Sequence, residues 1–177
     1  MCIRDSPRIV LPLSLTNATF FTWLLEMGVL VVALSFLGSF VLPWLPLLAA
    51  FMVLFALFSV GLAMVLSIIN VYFRDLSYLL TIVLQFWFYL TPILYPVELV
   101  ANQSTSLGGL AGTPITLLDL YQLNPVEGFI EIFRNLLYDN RAPEAVTVWV
   151  ALAWTVVAAV AGIWMYAQKE KELAELL

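Results

Sequence analysis

Ile69-Asn70-Val71-Tyr72-Phe73-Arg74-Asp75-Leu76-Ser77-Tyr78 leads into an uncharged run that closes on Leu90-Thr91-Pro92-Ile93-Leu94-Tyr95-Pro96-Val97-Glu98. One long hydrophobic segment ends at the left edge of this stretch. A lone Arg74-Asp75 pair marks a turn, and a second hydrophobic segment begins. Leu76 to Val97 carries no charge, and as helix it is long enough to cross a hydrocarbon core of about 30 Å. Gln85-Phe86-Trp87-Phe88-Tyr89 lies near its middle, and Pro92 and Pro96 break it towards the far end. A charged elbow, an aromatic middle and a proline-broken exit predict more than a plain anchor.

The composition agrees. Of 177 residues, 63% are hydrophobic and 11% charged, against about 25% charged in soluble domains, and the mean hydropathy is +1.02. The expected fold is an all-α integral membrane protein with four membrane-spanning helices, plus re-entrant or interfacial short helices on the outer side. A net charge of −5 gives no sign of nucleic-acid binding. Histidine is absent and Cys2 is the single cysteine, which leaves no material for His/Cys metal sites, thiol catalysis or disulfides. No Gly-x-x-x-x-Gly-Lys-Ser/Thr pattern occurs, so the chain has no P-loop for ATP.

Working outward towards the N-terminus, Met27 to Phe73 is uncharged and too long for one crossing. Pro43-Trp44-Leu45-Pro46 divides it, predicting a first crossing over Thr19–Leu42 and a second over Leu47–Val71, with Trp44 at an interface. Ser59, Ala63 and Ser67, four apart, predict a small-residue face for helix contact. Glu26 has two readings: a carboxylate inside hydrocarbon, which marks a pathway or a partner, or one at the headgroups. The first six residues, Met-Cys-Ile-Arg-Asp-Ser, read as a translated sequencing adapter, a non-native leader with native sequence from Pro7. The alternative is a genuine short protein.

Towards the C-terminus, Tyr78, Thr81, Gln85, Tyr89 and Pro92 recur at helical spacing as a stripe able to hydrogen-bond, and Trp87 lies away from either interfacial belt. These residues are candidates to line a path for a sugar chain, by ring faces and polar tips. The bland alternative is aromatic packing within a bundle. The segment from Leu99 to Asp119 is too polar and glycine-rich to span, and predicts a loop or re-entrant pieces. Leu123-Asn124-Pro125-Val126 starts a short amphipathic helix, with Pro125 in the first turn. On this reading Glu127, Glu131 and Arg134 share one face, and Phe129, Phe133, Leu136 and Leu137 the other. Glu131–Arg134 is expected to be a surface pair. The last crossing is expected over Ala145–Gln168, with a small-residue contact at Ala158 and Gly162. A polar helical tail follows from Lys169. Arg8, Arg74, Lys169 and Lys171 outnumber Arg134 and Arg141 on the other side, which places the Arg74 loop and the C-terminus in the cytoplasm.

Three blocks together carry a family resemblance: Asn70-Val-Tyr-Phe-Arg-Asp-Leu76, Leu90-Thr-Pro-Ile-Leu-Tyr-Pro96 and Leu123-Asn-Pro-Val-Glu-Gly-Phe-Ile-Glu-Ile-Phe-Arg134. In this order the chain from Pro7 onward resembles the membrane subunits of type-2 ABC transporters. It is most similar to the branch exporting lipid-linked polysaccharides such as O-antigen and teichoic acid. The resemblance implies a partial transmembrane domain over residues 7–177, with four of about six helices. It further implies a permease homodimer in the bacterial cytoplasmic membrane, amid membrane lipid, carrying a polyprenyl-linked glycan. A separate P-loop ATPase subunit would bind ATP and Mg, and this chain would need no cofactor. Phe73, Arg74 and Asp75 become an ATPase-coupling elbow, against the plainer expectation that Arg74 anchors at headgroups while Asp75 caps the next helix. Arg8 and its prolines fall in a loop expected to touch the ATPase, or serve as an ordinary basic flank. Pro92, Tyr95, Pro96 and Arg134 are candidates for an outer gate.

Two other functions compete. One keeps the fold and changes the cargo to a drug or a simple lipid. The other is an intramembrane glycan-processing enzyme, which would require converging acid–base groups. The outer acids are scattered along the sequence and histidine is missing.

Overall fold

A computed structural model describes residues 10–73, 75–91 and 123–175. The described residues form five α-helices: α1 (Val10–Phe36), α2 (Leu45–Tyr72), α3 (Leu76–Leu90), α4 (Pro125–Leu137) and α5 (Ala145–Glu175). A short 3-10 turn, Leu42–Trp44, precedes α2. The protein is an all-α integral membrane protein. Asn17–Phe36, Leu42–Tyr72 and Ala145–Gln168 are each long and apolar enough to cross a membrane. The last of these has the bounds expected from the sequence. The fourth expected crossing, Leu76–Val97, is helical as far as Leu90. Its 15 residues rise about 22 Å at 1.5 Å each, and residues 92–97 lie outside the described residues.

The chain divides into two compact units, Met1–Arg74 with Leu152–Leu177, and Asp75–Ala151. In the first, α1 packs on α2 through Trp23 and Phe55, whose ring centroids are 5.4 Å apart. Phe20 and Phe58 extend the aromatic row on either side. The first helix ends earlier than expected, at Phe36 rather than Leu42. Gly38 adopts φ +89°, a left-handed conformation that stops the helix and that glycine tolerates without a Cβ penalty. The turn therefore falls at Leu37–Val41. Pro43 and Pro46 instead take the first-turn positions of the 3-10 segment and of α2, where a missing N–H costs nothing.

The second helix meets α5 at backbone distance. A Cβ added to Gly61 would lie 2.6 Å from the carbonyl carbon of Ala158, and one on Gly162 would lie 2.8 Å from the Gly61 oxygen. The expected Ala158–Gly162 contact is present. Its counterpart on α2 is Gly61, flanked by buried Phe58, Met64 and Ile68, and not Ser59, Ala63 and Ser67. Those three lie about 120–160° away from Gly61 on the helical wheel, and Ser67 is exposed. The Ser59 hydroxyl donates to its own helix at the Phe55 carbonyl, 2.9 Å, as Ser35 does to Val31 at 2.8 Å. Such back-bonding satisfies a hydroxyl in an apolar helix without a partner from elsewhere.

Candidate functional site

Phe73 ends α2 in an extended conformation (φ −121°, ψ 93°), with its N–H donating to the Ile69 carbonyl. Its ring is 67% exposed. Asp75 occupies the cap position of α3, yet its carboxylate makes no capping hydrogen bond. The plainer expectation for Asp75, a side-chain cap, is therefore not met. The elbow presents an exposed aromatic ring and an exposed carboxylate on either side of Arg74, which lies outside the described residues.

Along α3 the candidate lining residues separate. Tyr78, Thr81, Gln85 and Tyr89 fall within about 80° of one another on the helical wheel and are all exposed. Thr81 returns its hydroxyl proton to the Ser77 carbonyl at 2.9 Å, leaving the oxygen as an acceptor. Trp87 sits on the opposite face and is half-buried. There its indole Nε1 donates to Asn124 Oδ1 at 3.0 Å.

Asn124 is the point on which a small network closes. It caps α4 by accepting from the Val126 N–H at 3.1 Å, and its Nδ2 donates to Thr91 Oγ1 at 3.1 Å. Thr91, 1% exposed, donates its own hydroxyl to the Trp87 carbonyl at 2.8 Å. Trp87, Thr91 and Asn124 thus tie the end of α3 to the start of α4. Sequence reading identified Asn124-Pro125 as a helix start but missed this tie. The one available signal was a threonine one turn after a tryptophan, ahead of an asparagine cap.

The α4 helix departs from the expected two-faced pattern at its first turn. Glu127 is 4% exposed, among buried Pro125, Gly128 and Phe129, instead of on a solvated face with Glu131 and Arg134. Burial pushes its carboxyl up from 4.5 to about 7; Glu131 adds to the rise and Arg134 opposes it. Glu131 accepts from the Thr147 hydroxyl of α5 at 3.3 Å. Phe129, Leu136 and Leu137 are buried as expected, joined by Ile132, while Phe133 is half-buried. At the other end, Asn135 accepts from Arg141 twice, at its side chain (2.8 Å) and its carbonyl (3.0 Å). Arg141 also pairs with Asp139 at 3.4 Å. Asn140, at φ 49°, makes the left-handed exit that asparagine accepts.

Of the candidate gate, Arg134 is half-buried on α4, and Pro92, Tyr95 and Pro96 lie outside the described residues. Glu26 is exposed on α1, nine residues after Asn17 in the spanning stretch. Among the described residues no three His, Cys, Asp or Glu side chains converge as a metal site would require.

No family model matches the chain, and no solved structure matches it. A curated relative does. The O-antigen export system permease protein RfbA of Myxococcus xanthus is 28% identical over 170 residues, which is 96% of this chain. The chain spans 61% of that relative's length. The similarity supports the resemblance to type-2 ABC permeases of the O-antigen branch.

Proposed function

We propose that this chain is membrane-spanning permease sequence of an ATP-driven exporter, moving a lipid-linked polysaccharide across the cytoplasmic membrane. The observation that carries the reading is the match to an O-antigen export permease along 96% of the chain. In this account the chain does no bond chemistry. A separate P-loop ATPase binds ATP and Mg, and two permease copies alternate between states that ATP binding biases. The Arg74 loop and the C-terminus face the cytoplasm, following the excess of basic residues there.

The elbow is the proposed contact with the ATPase. An exposed ring at Phe73 and an uncapped carboxylate at Asp75 suit docking in a groove better than helix capping. The Tyr78–Thr81–Gln85–Tyr89 stripe is the proposed lining, offering aromatic faces and polar tips without a tight pocket. Trp87 supports that helix from behind through Asn124. Pro92, Tyr95, Pro96 and Arg134 are proposed to form the outer gate.

Replacing Phe73, Arg74 and Asp75 together by alanine tests the coupling. With the partner ATPase present, ATP hydrolysis is expected to continue while glycan export stops, at unchanged permease levels in the membrane. Normal export by the triple variant would overturn the assignment of the elbow.

A further inference from the structure

We propose that the groove between α1 and α2, with Glu26 at its rim, binds a lipophilic organic cation of the quaternary ammonium class. Thr19, Phe20 and Trp23 of α1 and Phe55, Ala56 and Ser59 of α2 line a groove of about 110 Å³. None of the six carries a charge. The ring centroids of Phe20 and Trp23 are 6.0 Å apart and those of Trp23 and Phe55 5.4 Å, each pair tilted. Aromatic faces attract an alkylated cation, as in the cages that hold quaternary ammonium groups, and three rings border this space. An apolar cavity of about 150 Å³ holds benzene, so this smaller groove takes the head of such a cation and leaves its remainder in lipid.

Glu26 supplies the group that selects for positive charge. It is the only charged residue between Arg8 and Arg74. On the helical wheel it lies about 20° from Thr19, about 40° from Thr22 and about 60° from Trp23. Cα–Cβ bonds of a helix tilt towards its N-terminus, so Glu26 projects back over the turn that carries Thr22 and Trp23, beside the groove. It is exposed, and among the described residues it has no hydrogen bond or ion pair. The Thr22 hydroxyl donates to the Ala18 carbonyl at 3.3 Å and that of Ser59 to Phe55 at 2.9 Å, so neither proton is spent on the acid.

Depth narrows the class of ligand. The Leu37–Val41 turn is irregular between α1 and the 3-10 segment, with Leu37 and Phe40 exposed. Irregular backbone facing lipid is excluded from the hydrocarbon, so this turn marks one boundary of it. Glu26 lies ten residues before Phe36, the end of α1. That is about 15 Å of rise, half of a core about 30 Å thick. A carboxyl at such depth calls for a partner. Little of the α1 crossing is covered by the rest of the chain, which leaves the rim open to a molecule arriving through lipid. A strongly hydrated cation does not travel that way, whereas one wrapped in alkyl or aryl groups does. The site is independent of the exported cargo.

The test is equilibrium binding of radiolabelled benzyltrimethylammonium to the whole chain in nanodiscs of zwitterionic lipid, corrected for empty nanodiscs. Neopentylbenzene, its uncharged isostere, is the comparison. Saturable binding of the ammonium, about ten-fold tighter than that of neopentylbenzene, is expected. Glu26→Gln is expected to remove that preference and leave neopentylbenzene unchanged, while Ala56→Leu, which fills the groove, abolishes binding of both. Uptake that does not saturate overturns the proposal, as does equal affinity of the unsubstituted protein for the two probes. Should Glu26→Gln fail to fold, the comparison of probes on the unsubstituted protein and the Ala56→Leu result decide. Efficient disulfide formation between two Glu26→Cys chains also overturns it, by placing a second copy over the rim.

Discussion

Replacing Gly61 by alanine adds one methyl group at the tightest point of the helix crossing. The new Cβ would lie 2.6 Å from the Ala158 carbonyl carbon and 2.7 Å from the Ala158 oxygen and the Ala159 nitrogen. Carbon–carbon contacts are comfortable at about 3.5–4.0 Å, so the shortfall is about 1 Å. All three opposing atoms are backbone, and no rotamer change relieves them. The helices must separate instead. Overpacking of this kind costs about 1–3 kcal/mol, and a gap of up to about 1 Å forfeits a quarter to a half of each contact's attraction along the seam. Alanine returns up to about 1 kcal/mol through helix propensity. The net expectation is a loss of about 2 kcal/mol, or about thirty-fold in the unfolding constant. Titration with a denaturing detergent, read by circular dichroism in mixed micelles, measures it. Gly28→Ala supplies the control, because nothing lies within 4 Å of a Cβ there, and it is expected to be neutral or slightly stabilising. Equal stability of the Gly61→Ala and Gly28→Ala proteins would refute the crossing.

The remaining predictions concern the second unit. Asn124→Ala removes the α4 cap and strands the Trp87 indole N–H, for an expected loss of about 2–3 kcal/mol in the same detergent titration. Asn124→Asp keeps the acceptor for Val126 and Trp87 and is expected to fall between that variant and the unsubstituted protein. Glu127 has a folded value of about 7 against 4.5 when unfolded, so the folded state binds the extra proton between these values. Stability is therefore expected to fall as pH rises through that window, by about 3 kcal/mol in all. Unfolding titrations across the window are expected to lose this slope in Glu127→Gln.

Much of this architecture is legible in the sequence where a local rule decides it. Ala145–Gln168 is bounded by polar flanks, and Asn124-Pro125 combines a cap with a first-turn proline, so both helix starts follow from the residues themselves. The end of α1 does not, because Met27 to Phe73 is uniformly apolar and hydropathy marks no turn within it. Gly38 was the only local sign, and the neighbouring prolines at 43 and 46 gave a stronger but misplaced one. Gly61 has no small residue four positions away, whereas Ser59, Ala63 and Ser67 form a regular series. Which face meets α5 depends on Ala158 and Gly162, about a hundred residues further on. The Trp87–Asn124 bond is likewise non-local, joining residues separated by 37 positions. Helical periodicity places Glu127 on a charged face, because its neighbours at +4 and +7 are charged. Its burial is decided by the packing around the first turn of α4, which helical periodicity does not record.

The most direct measurement of the central claim replaces the matching segment of Myxococcus xanthus RfbA with this chain and follows surface O-antigen in a strain lacking RfbA. The account predicts that the chimera restores O-antigen at the cell surface, and that alanine at Phe73, Arg74 and Asp75 abolishes the rescue. A chimera that reaches the membrane at RfbA levels yet leaves the polysaccharide in the cytoplasm would contradict it.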